Sequence, residues 1–232
     1  MKLHRFLVTF PISQDQFKIT EVEVAHQLTK VLRARAGYEF LLVNEEEEVR
    51  VRVDKLLPDG LEVSVLERKQ VATTASNVTL FCAILKRDNF ELVVQKATEI
   101  GVSTIVPLVT ARTIKQNIRP ERLQAIIKEA VEQSGRAVMP TLTGITSLDD
   151  ALAQRDEFDR FLLCDNSGDI VDWRHTGPEE KIAIVVGPEG GWEPKELTRA
   201  AEAKATIVSL GNYTLRAETA AIVASYLACS RN

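Results

Sequence analysis

One stretch of this chain narrows its possible folds more than any other: Ile184-Val185-Val186 runs without a polar residue into Gly187-Pro188-Glu189-Gly190-Gly191-Trp192. A short β-rich run with no polar alternation reads as a buried parallel strand, because a strand with one wet face would alternate. The glycines that follow give a loop whose backbone can come close to a bound small molecule. A second run of this kind, Ile207-Val208-Ser209-Leu210, feeds Gly211-Asn212 about twenty residues later. Two ligand loops on buried strands point to an enzyme.

The surrounding pattern sets the architecture. From about residue 71 strand-like and helix-like segments alternate: a strand over 78–85, a helix over 90–100 ending at Gly101, a strand over 104–109 and a long helix over 120–136 opened by Pro120. Strands over 161–164, 182–186 and 207–210 follow, with helices over 194–203 and 218–229. That alternation predicts an α/β fold with a mostly parallel sheet. Ligands of such sheets bind beyond the carboxyl ends of the strands, which gathers the loops 165–168, 187–191 and 211–216. No G-x-G-x-x-G and no G-x-x-x-x-G-K-[ST] occurs, so the fingerprints of dinucleotide binding and of a Walker phosphate loop are missing.

Residues 1–70 read differently, as a small β-rich domain. A strand over 3–10 stops at Pro11. Val49, Val51 and Val53 alternate with Arg50, Arg52 and Asp54, and Leu61, Val63 and Val65 do the same after Pro58-Asp59-Gly60, which predicts a hairpin with one wet face. Thr20 and Glu23 have capping-box spacing ahead of Val24, Leu28, Val31 and Leu32, so an amphipathic helix ending before Gly37 interrupts the strands. The acidic run Glu45 to Glu48 reads as a solvated, inert loop. A chain of 232 residues, 45% hydrophobic, has the material for one large domain or two unequal ones.

Charge and cysteine content exclude several functions. A net charge of −4 argues against wholesale coating of nucleic acid, but residues 1–35 hold six Lys/Arg against three Asp/Glu, and residues 81–136 hold nine against six. These two mildly basic segments are candidates for a phosphate-binding surface. Cys82, Cys164 and Cys229 are far apart, odd in number and flanked by apolar residues, so they read as packing, and His4, His26 and His175 share no ligand spacing. No stretch approaches eighteen uncharged apolar residues and no leader pattern opens the chain, so cytoplasm is the expected location. The apolar, small-residue segment 220–228 reads as a helix buried in a core or at a subunit interface.

The turn Gly187-Pro188-Glu189-Gly190-Gly191, together with Leu210-Gly211-Asn212-Tyr213-Thr214-Leu215-Arg216-Ala217-Glu218-Thr219-Ala220, resembles the paired signature of the uridine-N3 RNA methyltransferases of the small ribosomal subunit, within the SPOUT superfamily. The likeness extends to His4-Arg5-Phe6, Val31-Leu32-Arg33, Lys86-Arg87-Asp88, the segment 95–102, Pro107, Arg112 and Glu132-Gln133-Ser134-Gly135-Arg136, covering essentially the whole chain.

The resemblance implies an N-terminal PUA-like β-barrel over 1–70 that binds RNA. It also implies a C-terminal SPOUT α/β methyltransferase domain over 71–232, threaded through a trefoil knot, in a homodimer. Pattern reading could not have suggested the knot, since connection rules weigh against threaded chains. The implied cofactor is S-adenosyl-L-methionine, the implied partner is 16S ribosomal RNA or the small ribosomal subunit, and no metal is required. Carried over residue by residue, Gly187, Glu189, Gly190, Leu210, Gly211, Tyr213, Leu215, Arg216 and Thr219 line the cofactor pocket, mainly through main-chain contacts, and Leu163, with Leu210 and Leu215, supplies the apolar wall that such a donor needs. Arg216 and Glu218 are the catalytic candidates: Arg216 to stabilise a uracil anion or fix a phosphate, Glu218 as a catalytic carboxylate or as a helix-start residue. Arg5, Arg33, Lys86, Arg87, Arg112 and Arg136 are the candidates for RNA contact. Two other readings stay open: a non-catalytic RNA-binding or ribosome-assembly protein that keeps the fold, and a metabolic α/β enzyme using another nucleotide.

Overall fold

A computed structural model describes residues 3–230 apart from 45, 72–75, 87, 115–116 and 171–179. The chain divides into two units, residues 1–74 with 131–138, and residues 75–130 with 139–232.

In the first unit, β1 (Arg5–Leu7), β2 (Gln16–Ile19), β3 (Glu39–Val43), β4 (Glu47–Leu57) and β5 (Gly60–Gln70) form one sheet in the order β1-β3-β4-β5-β2. The expected hairpin is β4 and β5, where Leu57 faces Gly60 across a two-residue turn. Val49, Val51 and Val53 are buried and Arg52 and Asp54 exposed, as a pleat with one wet face requires. Their apolar side meets Phe6 and Phe40, whose rings pack edge to face at 5.5 Å, and Leu28 and Leu42, both fully buried.

Two expectations for this unit are corrected. The interrupting helix does start near Thr20, but α1 (Val22–His26) is capped by Glu21 without a side-chain bond, so the Thr20–Glu23 capping box does not form. It runs directly into a π-helical turn over Gln27–Val31, in which Leu32 N donates to Gln27 O at 2.9 Å. That wider turn shifts the phase of the apolar stripe, so Leu28 stays inside while Val31 is 65% exposed. The acidic run is not an inert loop either. Glu47 and Glu48 open β4; Glu47 pairs with Arg68 and Glu48 with Arg5. Arg5 also donates to Gly135 O at 3.0 Å, and Glu132 accepts from Leu7 N at 3.2 Å, which ties the segment 131–138 into this unit. Glu45 lies outside the described residues.

The second unit contains β6 (Val78–Ala83), α2 (Asn89–Ile100), β7 (Thr104–Val109), most of α3 (Pro120–Ser134), β8 (Thr141–Leu142), β9 (Thr146–Ser147) and α4 (Leu148–Ala153). It continues with β10 (Arg160–Ile170), β11 (Ile182–Val186), α5 (Pro194–Glu202), β12 (Thr206–Ser209) and α6 (Ala217–Cys229). The sheet order is β12-β10-β11-β6-β7-β8, with β9 also beside β7, and every pairing is parallel. β11, read from the sequence as buried on both faces, has all five residues buried. One layer of core gathers Phe81, Phe161, Leu163, Trp192 and Ala200, with the Phe81 and Phe161 rings 5.7 Å apart and Phe158 closing the cluster. α6 packs on α2, β6 and β11 through Ala217, Ala221, Ala224, Ser225 and Ala228, while Tyr226 is 59% exposed. Only one face of the small-residue helix is thus inside.

β10 is longer than the run 161–164 predicts. Its ladder with β12 shifts register: Cys164 and Asp169 both face Val208, so residues 165–168 make an excursion from the ladder where a loop was expected. Hydropathy could not show the return to pairing, because Asp169 is polar and the partner strand supplies the backbone groups.

Phe161→Ala should remove two ring contacts from a closed core and lower stability by about 3–5 kcal/mol. The expected reading is a lower urea midpoint with an unchanged m-value.

Candidate active site

The run of β10 that pairs with β11 ends at Cys164, which faces Val186, the last residue of β11, on one flank and Val208 of β12 on the other. The ends of these paired runs thus lie side by side. The segments that leave these ends enclose a cavity of about 530 Å³. From β10 come Cys164, Asp165 and Asn166; from β11 come Val186, Gly187, Pro188, Glu189, Gly191 and Trp192. Beyond β12, Val208, Leu210, Tyr213, Thr214, Leu215, Arg216 and the first turn of α6 complete the wall, with Asn89 at the start of α2.

The glycine turn is held by specific contacts. A Cβ at Gly187 would lie 2.9 Å from Cε2 of Trp192, so only glycine fits beside that ring. The ring cannot easily retreat, because it is 6% exposed and its Nε1 donates to Cys164 O at 2.9 Å. Gly191 N donates to Pro188 O at 2.9 Å, and Gly191 takes φ +68°, a left-handed value that favours glycine. Glu189 does not hang free in the cavity: its Oε1 accepts from Lys86 N at 2.8 Å, which ties the turn to the segment leaving β6. Across the mouth, Asn166 Nδ2 donates to Thr214 Oγ1 at 2.7 Å.

Cys164 contributes a neutral thiol to the wall. Burial, and after it the Asp165 carboxylate, push this thiol up to about 12 from 9.0. Cys82, buried at the end of β6, is shifted in the same direction, chiefly by burial. Among the described residues no group of three or more His, Cys, Asp or Glu is arranged to hold a metal ion. No helix among the described residues is long and apolar enough to cross a membrane.

Of the residues singled out from the sequence, Gly187, Glu189, Leu210, Tyr213, Leu215, Arg216 and Glu218 line this one cavity. Others stand elsewhere. Leu163 is fully buried in the core, because its side chain faces away from the wall that the next residue, Cys164, enters. Gly190, within the turn, is not among the residues lining the cavity, and its carbonyl accepts from Arg112 Nη1 at 2.8 Å. Gly211 takes φ +146°, and its carbonyl accepts from Ser209 Oγ at 2.9 Å. Thr219 is exposed on α6. Among the cationic candidates, Arg5 is engaged by Glu48 and Gly135, whereas Arg33 is exposed at φ 52° and Lys86 is exposed at the end of the β6 segment. Arg136 is half-buried, and Arg87 and His175 lie outside the described residues. Sequence reasoning missed Trp192 and Asn89 as wall residues. The available signals were the tryptophan directly after the glycine turn and the asparagine directly after Lys86-Arg87-Asp88.

A family described as an RNA methyltransferase domain matches residues 72–228. The ribosomal RNA small subunit methyltransferase E of Rickettsia conorii is 30% identical over 232 residues, spanning 97% of this chain and 94% of its own. The chain belongs to this RNA methyltransferase family. Two solved methyltransferases share its fold. The ribosomal RNA small subunit methyltransferase E of Neisseria gonorrhoeae, bound to S-adenosyl methionine, superposes with a TM-score of 0.82 at 29% identity, covering 97% of this chain and 95% of that one. A methyltransferase of Legionella pneumophila in complex with the cofactor SAM superposes with a TM-score of 0.85 at 25% identity, covering 98% and 97%. This chain is accordingly a methyltransferase, with the parallel α/β sheet typical of SPOUT enzymes.

Two measurements check the geometry of the wall. Gly187→Ala should displace the Trp192 indole, giving altered tryptophan fluorescence and a loss of about 1–3 kcal/mol of stability. For Cys164 the folded state favours the neutral thiol. Its contribution to stability is therefore complete below pH 9.0 and is lost as pH rises toward about 12. Alkylation at pH 9, mapped by peptide mass, should label Cys164 in the native protein at least about tenfold more slowly than in the unfolded chain.

Proposed function

We propose that this chain uses S-adenosylmethionine to methylate N3 of a uridine in the 16S ribosomal RNA of the small subunit. The observation that carries this reading is one cavity bounded by the segments after three neighbouring parallel strands, with Arg216 and Glu218 on its wall, in a chain of this family. Relatives named ribosomal RNA small subunit methyltransferase E, and neighbours that hold the same methyl donor, support it.

The residues present fit that donor. A cavity of about 530 Å³ is of the size that encloses a small organic ligand. At Gly187 the wall is main chain, since no Cβ fits there, while Leu210 and Leu215 offer apolar surface to a flat adenine. Gly187, Glu189, Leu210, Tyr213, Leu215 and Arg216 would hold the donor, with Gly190, Gly211 and Thr219 shaping the loops from behind. When bound, S-adenosylmethionine supplies an electrophilic methyl group on a sulfonium centre.

The remaining chemistry belongs to the protein. Methylation at N3 requires loss of the imide proton, and negative charge develops on the two flanking carbonyl oxygens. A guanidinium has donors and no acceptor, so Arg216 cannot take that proton, but its fork of donors stabilises the charge. Glu218, on the same wall in the first turn of α6, is the carboxylate assigned to accept it. The uracil edge has to leave its stack to reach these groups. Arg33, Lys86, Arg87 and Arg136 would position the RNA backbone, and the β-rich unit would serve as a PUA-like RNA-binding barrel. A trefoil knot in the second unit, a homodimeric state and a cytoplasmic location complete the reading, supported by the SPOUT resemblance.

The test is mass mapping of small-subunit RNA incubated with the protein and the methyl donor, using particles from cells that lack the gene. One new N3-methyluridine is expected, and Arg216→Ala should lower kcat/KM by about 10²–10³-fold. Particle binding without methyl transfer and without donor affinity in calorimetry would favour a non-catalytic ribosome-assembly role instead.

A further inference from the structure

Behind the glycine turn lies a second turn that the cavity wall does not include. Residues 110–113 follow β7 and close on themselves: Thr113 N donates to Thr110 O at 3.1 Å, and Thr110 N donates to Thr113 Oγ1 at 2.9 Å. Both threonines are buried, 7% and 5% exposed, with their hydroxyls 3.0 Å apart, so the turn is fixed from inside. Its two middle residues reach outward to the segment that carries the glycine turn. Ala111 N donates to Glu196 Oε1 at 2.9 Å, and Arg112 Nη1 donates to Gly190 O at 2.8 Å.

Glu196 is 1% exposed, an unusual setting for a carboxylate. Its other oxygen accepts from Glu193 N at 2.8 Å, two residues after the glycine turn ends, so the side chain joins the 110–113 turn to the start of α5. A carboxylate kept in so dry a place costs free energy unless main-chain donors satisfy it, and both oxygens here have one. Gly190 approaches the Arg112 stem so closely that a Cβ there would be 3.3 Å from Arg112 Cβ. From the other side, Glu189 accepts from Lys86 N. A turn with glycine at 187, 190 and 191 has much backbone freedom to lose on binding a ligand, and fixing it beforehand removes that cost.

We propose that Arg112 and Glu196 are positioning residues which lock the 187–191 turn into its donor-binding shape, and that Arg112 serves this turn rather than RNA. The inference rests on reading the adjoining cavity as the S-adenosylmethionine site. Arg112→Lys keeps the charge that an RNA phosphate would feel and loses the planar fork that reaches Gly190 O. Amide hydrogen exchange over residues 187–191, measured without ligand, should accelerate about tenfold in Arg112→Lys, Arg112→Ala and Glu196→Gln. S-adenosylmethionine affinity by calorimetry should fall about tenfold in each, while affinity for 16S ribosomal RNA and its salt dependence stay as in the parent protein. Unchanged exchange in both Arg112 variants, or a loss of RNA affinity in Arg112→Ala with donor affinity intact, would overturn the assignment. Should Glu196→Gln fail to fold, the exposed Arg112 variants decide alone. If the parent protein binds no S-adenosylmethionine, the reading of the cavity fails, and the ligand-free exchange still decides the brace.

Discussion

The indole of Trp192 is the contact on which the cavity depends. It sits in the core with Phe81, Phe161 and Ala200, donates to the Cys164 carbonyl at the end of one strand, and presses on Gly187 at the end of the next. Core packing, one hydrogen bond and one excluded Cβ thereby fix the spacing between two strand ends. A parallel sheet makes this possible, since neighbouring strands deliver their carboxyl ends to the same edge. The third segment, after β12, is joined across the mouth by Asn166 and Thr214. A binding wall built of main chain needs such bracing, because glycine contributes no side chain with which to hold its own position.

Polar groups around this wall are used mainly to hold loops. Glu189 reads from the sequence as a cofactor-pocket residue, and its carboxylate accepts a main-chain N–H from Lys86. Arg112 looks like a phosphate ligand and donates to Gly190 O. Arg5 belongs to an ion pair with Glu48 in the first unit, which also gives the acidic run a structural purpose. A cation in a basic segment therefore says little about its target until its partners are known. In this chain the carbonyls and carboxylates that engage Arg5 and Arg112 come from positions 43 to 130 residues away, beyond the reach of any local pattern.

Parts of the structure were legible because they depend on neighbouring residues. β11 is buried throughout because four β-branched residues and no polar one leave it no face for water; the β4 and β5 hairpin follows from alternation around Pro58-Asp59-Gly60. Other parts turn on partners. The π-helical turn over Gln27–Val31 changes which residues face the core, although Val31 has the spacing of an α-helical stripe. β3, with Phe40-Leu41-Leu42-Val43, is defined by pairing to β1 and β4 and was not anticipated. Leu163 and Cys164 are both apolar neighbours on one strand, and only the pleat decides that the first faces the core and the second faces the cavity.

The sequence by itself determined the α/β alternation, the buried strands and the glycine turns that end them, because burial and backbone freedom are properties of residue type and local order. Its motifs also pointed to the RNA methyltransferase family. Tertiary structure decided which groups remain available for chemistry. Arg112 and Arg5 are engaged by distant backbone or side chains, whereas Glu189, Arg216 and Glu218 stand on the cavity wall, Glu189 tied there to Lys86 N. The reason is physical: hydrogen bonds and ion pairs are satisfied in space, by whichever groups the sheet brings within about 3 Å, whatever their separation along the chain.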